Sequence, residues 1–343
     1  MPVYNCAEFL GAALDSIMPQ LIDGVEVLVV DGASTDRTPQ IVSERTASCP
    51  QLRYARLERR GGIDADMAKS VELARGEYCW LFSGDDVMRP GALGRLLGSL
   101  DSGADIYLCG HTICDREMRF LLDYPIFRPD VPRRVQFGDP AARIEYLRAA
   151  VNTEALFSFM SGLVVRRGAW NSGTPVFMGS CWGHVARLLS VAERGLSVCY
   201  VGETWLDKRG GNDSFMDRGL VHRLGIAVHG FIAIAAKYFG PDSAEARQVR
   251  RLLRNELGLR MFIYARVLTD DTPQLESREQ LDRLLTLIYS DRGLWNAWVR
   301  FVYRRTPRLA IRGVRGAYRL ARRAGFRLRA PPEGGKAAET PNS

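Results

Sequence analysis

Two short turns hold the acidic residues whose spacing could do chemistry. Asp85 and Asp86 close the segment "WLFSGDD" (80–86), and Asp31 and Asp36 bracket "DGASTD" after the run "VEVLVV" (25–30). Adjacent carboxylates repel, so a chain that sets a pair of them at the end of an apolar segment needs a cation, hydrogen-bond donors or open water there. A divalent ion, Mg2+ or Mn2+, held by one or two carboxylates and by diphosphate oxygens meets that need. The earlier turn suits hydrogen bonds to a base or ribose, so the two turns together describe one nucleotide held at both ends.

The elements around these turns alternate. "VEVLVV" is a continuous apolar run of the kind buried on both faces of a parallel sheet, and it ends at Asp31. Pro39 after Thr38 opens a helix over "QIVSERTA", "LRYARLE" (52–58) is the next strand, and Gly76 closes a helix over "DADMAKSVELARG" (64–76). "EYCWLF" (77–82) is strand again, "GALGRLLGSL" helix and "DIYLCG" (105–110) strand. This alternation predicts right-handed βαβ crossovers and an α/β fold with a mostly parallel sheet. Ligands bind such sheets beyond the carboxyl ends of the strands, where both acidic turns fall.

Composition sets the bounds. With 343 residues, 46% of them hydrophobic, the chain can build one large domain or two smaller ones, and disorder as a whole is excluded. A formal charge of +8 points to an anionic partner, whether nucleotide phosphate, acidic lipid or nucleic acid. The seven cysteines form no CxxC pair and several lie in apolar runs, which predicts a reducing compartment and no zinc site. "PVYNCAEFLGAALDSI" after Met1 has neither a basic start nor an unbroken apolar core, so a cytoplasmic location is expected. "LGIAVHGFIAIAA" (224–236) falls short of the roughly 20 residues that span a bilayer and reads as a buried helix.

Several segments, in order, carry a resemblance: "MPVYN" (1–5), "VLVVDGASTDRT" (27–38), "GGIDADMAKSVELARGEYCWLFSGDDVMRPGAL" (61–93), "FSFMSGLVVRRGAW" (157–170) and "RGGNDSF" (209–215). Over roughly residues 1–235 the chain resembles the family 2 glycosyltransferases of the GT-A nucleotide-diphospho-sugar transferase fold, and within them is most similar to the abequosyltransferase-like group of O-antigen enzymes. The resemblance implies a GT-A domain over 1–235; helical spacing and composition predict a helical, basic extension over 236–330 and a disordered tail over 331–343. It implies transfer of a sugar, plausibly a deoxyhexose, from a nucleoside diphosphate to a lipid-linked oligosaccharide, with inversion.

Position by position, the resemblance implies that Val3, Tyr4 and Asn5 lie near the nucleotide and that Asp31 reads the base. Asp36, Asp66 and Lys69 match groups that touch nucleoside and phosphate, Gly84 and Asp85 lie in the metal-binding triplet, and Asp86 is its neighbour at the reacting centre. Arg209, before the glycines of "RGGNDSF", suits closing on a diphosphate. Two departures stand out. Ser83 replaces the first acid of the triplet, which leaves the dependence on Mg2+ or Mn2+ open. Where the family supplies an acid as catalytic base, this chain reads "GSCWGHVARLL" (179–189); His184 is the candidate there, with Asp207 or Asp213 in reserve. A sugar nucleotidyltransferase would need a Gly-rich basic loop near its start, which "PVYNCAEFLGAAL" lacks, and a catalytically degenerate nucleotide-sugar-binding or scaffold protein is the alternative that Ser83 and His184 keep open.

The family places an apolar strand directly before "VYN", and Met1 stands immediately before Pro2, so a late start site or a missing first strand is expected. At the other end, "SREQLDRLLTLIYSD" opens with a helix-capping signal, and from Trp298 to Arg329 the sequence is dense in arginine, free of acids and interleaved with aromatics. That composition predicts interfacial helices on an anionic membrane, at the inner face of the plasma membrane, in preference to a nucleic-acid partner.

Overall fold

The computed structural model describes residues 1–129, 131, 133–213, 215–271 and 277–307; the Arg-rich continuation from 308 and the tail expected over 331–343 lie outside them. Two compact units divide the chain, Met1–Gly210 and Gly211 onward.

The first unit opens with β1 (Pro2–Val3), α1 (Ala7–Ile17), β2 (Val27–Asp31), α2 (Thr38–Thr46), β3 (Leu52–Arg56) and α3 (Ile63–Leu73). β1, β2 and β3 form a parallel three-stranded sheet in that order. Every residue of β2 is buried, as its unbroken apolar run requires. The two residues of β1 pair with the end of β2. Met1 takes a place in its ladder: the Val30 amide donates to the Met1 carbonyl at 2.9 Å, and the buried α-amine donates to the Leu28 carbonyl at 2.9 Å. Burial pushes that amine down to about 5.

The chain continues through β4 (Tyr78–Trp80), β5 (Val87–Met88), α4 (Ala92–Leu100), β6 (Ile106–Cys114), β7 (Phe120–Tyr124), β8 (Arg134–Gln136), α5 (Pro140–Ala149), β9 (Leu163–Arg166), α6 (Arg167–Ser172), α7 (Gly183–Leu189) and β10 (Ser197–Arg209). These strands make a second sheet, ordered β4-β9-β6-β10-β5, with β7 on β6 and β8 on β10. β6 and β10 are parallel, while β9 enters antiparallel between β4 and β6. The alternation of the first third carries β4 and β6 in one direction; β9, from a segment distant in sequence, runs reversed between them, and β5, β7 and β8 also pair antiparallel with their neighbours, so the parallel pairing the alternation predicts is confined to β1–β2–β3 and β6–β10. Helix α1 buries Leu10, Ala13, Leu14 and Ile17, one face at helical spacing. Leu10 and Leu14 join Val29, Phe82, Leu93, Trp205 and Leu206 in the core.

The described part of the second unit is helical: α8 (Leu220–Phe239), α9 (Ala244–Asp271), α10 (Arg278–Ile288) and α11 (Leu294–Arg305). Gly258 breaks α9 with a positive φ of 48°. Ser277 caps α10 by accepting from the Gln280 amide at 3.3 Å, as the capping signal predicts. By length and composition α8 could cross a membrane, but half of its apolar window is buried, with Leu224, Val228, Phe231 and Ile234 all inside.

Candidate active site

The turn after β2 is held by its own acids. Asp31 is fully buried; the Tyr54 hydroxyl donates to its Oδ2 at 2.6 Å and the Ser34 amide to its Oδ1 at 2.8 Å. Asn5, in the left-handed region at φ 48°, donates its amide to Ser34 Oγ at 2.9 Å and accepts from the Thr35 amide at 2.8 Å. Asp36 accepts from the Ala7 and Thr38 amides at 3.0 and 2.9 Å. Burial works against its ionisation, but the hydrogen bonds from Thr38 and Ala7 outweigh it and hold Asp36 below the usual carboxylate range. Asp66 accepts from the Gly61 amide at 3.1 Å, and a Cβ on Gly32 would lie 2.7 Å from its Oδ2. Burial, and beyond it the charge of Asp31, raises Asp66.

The structure therefore brings Val3, Tyr4, Asn5, Asp31, Asp36 and Asp66 to one edge. Arg60 joins them with its guanidinium 4.0 Å from the Tyr4 ring centre, an approach the sequence did not single out. Lys69 is turned along α3 to Glu72, 2.6 Å away.

The second acidic turn abuts the first. A Cβ on Gly84 would lie 2.8 Å from Val3 Cγ1 and 3.0 Å from Cys6 Sγ, and the Cys6 thiol donates to the Gly84 carbonyl at 3.2 Å. Only glycine admits that approach. Burial, with Asp85 adding to it, pushes the Cys6 thiol up to about 12, so it is an inert part of the joint. Ser83 Oγ donates to Asp85 Oδ1.

Asp86 faces the other way. It is 2% exposed, and its carboxylate accepts from Ser161 Oγ at 2.6 Å and from the Arg209 amide at 2.9 Å. Burial, then the charge of Asp85, raises it to about 7. Sequence reasoning set Asp86 beside Asp85 toward the reaction; the structure uses it to fasten the turn to β10 and to the segment before β9. Arg209 is likewise pinned, its Nε donating to the Asp85 carbonyl at 2.9 Å and its guanidinium lying 4.8 Å from the Phe9 ring centre.

Among the described residues no group of three or more His, Cys, Asp or Glu side chains could hold a metal. What the turn does offer is a carboxylate with a neighbouring hydroxyl, Asp85 and Ser83, an oxygen set that fits Mg2+ or Mn2+ bound mainly through donor phosphates.

His184, in the first turn of α7, is 5% exposed and directs Nε2 to the Phe157 carbonyl at 3.0 Å; its Nδ1 is buried without a hydrogen bond. Burial lowers it to about 4, against which Asp64 pulls upward. Asp207 accepts from Arg89 Nη2 at 2.7 Å and from Thr112 Oγ1 at 2.5 Å, and Asp213, in the second unit, accepts from Arg223 at 2.6 Å.

Two further features escaped the sequence reading. Asp64, in the first turn of α3, accepts from the amides of Gly179, Cys181 and Gly183 at 2.8, 2.9 and 2.9 Å, and so fixes the loop that carries His184. Its signal was the acid pair "DAD" at a helix start after two glycines, where the helix dipole favours negative charge. Glu154 meets His111 Nε2 at 2.7 Å, with Lys208 Nζ 3.7 Å from its other oxygen. Burial of Glu154 is outweighed by His111 and then Lys208, which hold it below the usual range.

Acidic turns that follow β2 and β4 and meet at Gly84 fit the donor site of a nucleotide-sugar transferase of the GT-A type. Solved structures share the fold: Staphylococcus aureus TarS 1-349 in complex with UDP-GlcNAc has a TM-score of 0.59 at 16% identity, covering 93% of this chain and 90% of that one. The mannosyltransferase PcManGT from Pyrobaculum calidifontis, in complex with GDP-Man and Mn2+, has a TM-score of 0.52 at 18% identity, covering 94% and 81%. Residues 1–156 match the glycosyl transferase family 2 model. Abequosyltransferase RfbV of Salmonella typhimurium is 28% identical over 311 residues, 88% of this chain and 92% of that protein. Chondroitin synthase of Escherichia coli is 32% identical over 93 residues, 27% of this chain and 13% of that one. The family resemblance and fold class read from the sequence hold, and the protein is a glycosyltransferase.

Two expectations follow from this geometry. Asp64→Ala orphans three amides and is expected to cost on the order of 3 kcal/mol in urea unfolding, with Asp64→Asn much milder; an unchanged midpoint for the alanine variant would remove Asp64 as the anchor of the loop. His184 is neutral when folded and protonates near 6.5 when unfolded, so its contribution is complete above about 6.5 and lost as pH falls toward 4. His184→Gln, which keeps a donor for Phe157, is expected to remove up to about 3 kcal/mol of that acid destabilisation. Parallel stability-pH curves for the two proteins would contradict it.

Proposed function

We propose that this glycosyltransferase moves a deoxyhexose from a nucleoside diphosphate to a lipid-linked oligosaccharide acceptor, with inversion, at the cytoplasmic face of the plasma membrane during surface-polysaccharide assembly. The observation that carries the donor half of this reading is the joint at Gly84, whose backbone lies against Val3 and Cys6 and so unites the nucleoside turn with the diphosphate turn. Similarity across most of the chain to a protein named for abequosyl transfer supports the sugar and the pathway class.

In this reading Tyr4, Asn5, Asp31 and Asp66 form the nucleoside end, and Asp85 with Ser83 forms the diphosphate end. A divalent ion bound there would neutralise charge growing on the leaving diphosphate. Asp86, Ser161 and the Arg209 amide keep Asp85 in place. His184 is the base proposed for the acceptor hydroxyl, because its Nδ1 has no hydrogen-bond partner among the described residues while Asp207 and Asp213 are engaged by Arg89 and Arg223. Burial makes it a weak base that stays neutral near pH 7.

The test is release of nucleoside diphosphate from sugar nucleotides by the full chain. Asp85→Asn is expected to abolish release while leaving the unliganded melting temperature within a few degrees of the parent's, and full turnover in that variant would overturn the assignment. His184→Gln should lower the rate by ~10²- to 10⁴-fold. A rate within a few fold of the parent moves the base elsewhere, and tight donor binding with no release in the parent itself would mark a degenerate, binding-only protein.

A further inference from the structure

Helix α11 presents an apolar face that no described residue covers. Leu294, Trp295, Trp298 and Phe301 are 92%, 67%, 51% and 56% exposed, and they recur at the three- and four-residue spacing of one helix side. The Trp295 and Trp298 rings stack 5.0 Å apart at 23°, which makes the two indoles a continuous plate. The opposite side is anchored. Val299 and Tyr303 are buried, the Tyr303 hydroxyl donates to Asp282 Oδ1 at 2.8 Å, and Arg266 donates to the Tyr303 carbonyl at 2.5 Å. Arg300 adds a bond to the Tyr289 carbonyl at 2.6 Å. Rolling the helix to hide the aromatics would break all of these, so the exposure is fixed by the fold.

Charge says what covers the face. Arg304 and Arg305 are exposed at the end of α11, and the Arg305 guanidinium lies 5.0 Å from the Phe301 ring centre. From Trp298 to Arg329 the sequence carries arginine throughout and neither Asp nor Glu. A second copy of the chain would bring two such cationic faces together and be repelled. An acidic protein would satisfy the arginines but not a plate of tryptophan beside leucine, whereas a bilayer interface takes both, with indoles at the headgroup level and guanidinium groups on lipid phosphate.

We propose that α11 is a membrane-docking surface that lies in the plane of an anionic bilayer, with Leu294, Trp295, Trp298 and Phe301 at the headgroup–acyl boundary and Arg304 and Arg305 on phosphates. This places the contact one turn earlier than the basic sequence alone suggests, and it stands on the helix geometry without using the sugar-transfer reading. It makes membrane binding a joint product of apolar insertion and charge, and neither alone holds a helix of this length firmly.

The experiment is sedimentation of the full chain with extruded phosphatidylcholine vesicles, with and without a minor fraction of phosphatidylglycerol, read together with tryptophan emission. The parent is expected to bind the anionic vesicles, weaken with salt and shift its emission to the blue. Trp295→Ala with Trp298→Ala and Phe301→Ala should bind at least about tenfold more weakly, since each aromatic removed forfeits an interfacial burial of this order. Arg304→Ala with Arg305→Ala should lose the preference for phosphatidylglycerol while keeping part of the blue shift. All these side chains are exposed, so melting temperatures and nucleotide-induced stabilisation are expected to match the parent. Failure of the parent to bind either vesicle, or equal binding by the triple aromatic variant, overturns the proposal. So does self-association that the aromatic variant abolishes while vesicles are ignored, because it would give the face to a protein partner.

Discussion

The buried carboxylate of Asp86 is the constraint on which the proposed donor site depends. Its two oxygens are taken by a hydroxyl from the segment before β9 and by the Arg209 amide at the end of β10, so one side chain closes three stretches of chain into a single wall. A carboxylate this deep resists ionisation, and Asp85 next to it increases the resistance. The polar partners supplied by Ser161 and Arg209 make its burial tolerable. The consequence is a division of labour between the two acids met in the sequence: Asp86 turns inward and fixes the turn, while Asp85 stays half-buried and takes the Ser83 hydroxyl.

The same logic runs through the neighbouring contacts. Gly84 lets the backbone of one turn touch Val3 and Cys6 of the other, and Asp64 gathers three amides of the loop that leads into α7. Each is a short-range polar or steric contact that joins segments far apart in sequence. Rigid placement of this kind is what positions reacting groups, because a charge-stabilising residue loses its effect when its geometry is loose.

How much was legible in the sequence follows from the range of the interactions. β2 could be read from its unbroken apolar run, α10 from its capping serine, and the two acidic turns from their place at the ends of strands, since all of these depend on neighbours in the chain. The antiparallel entry of β9 between β4 and β6 was not legible, because pairing of Tyr78 with Arg166 leaves no mark on either local pattern. Nor was the orientation of Asp86 against Asp85, which adjacent identical residues cannot reveal, or the His111–Glu154 contact, made across the fold between a strand and a short turn. His184 stood out as the titratable group in its segment, but its burial came only with the packing of Phe157 and Asp64 around it.

We propose one nucleotide site from the two acidic turns joined at Gly84, with an oxygen set for a divalent ion. Calorimetric titration of the full chain with CDP, UDP, GDP and dTDP, each with and without Mn2+, tests it most directly. One nucleotide binding in preference to the others, and more tightly when Mn2+ is present, is the predicted result. No binding of any nucleoside diphosphate under either condition would contradict it.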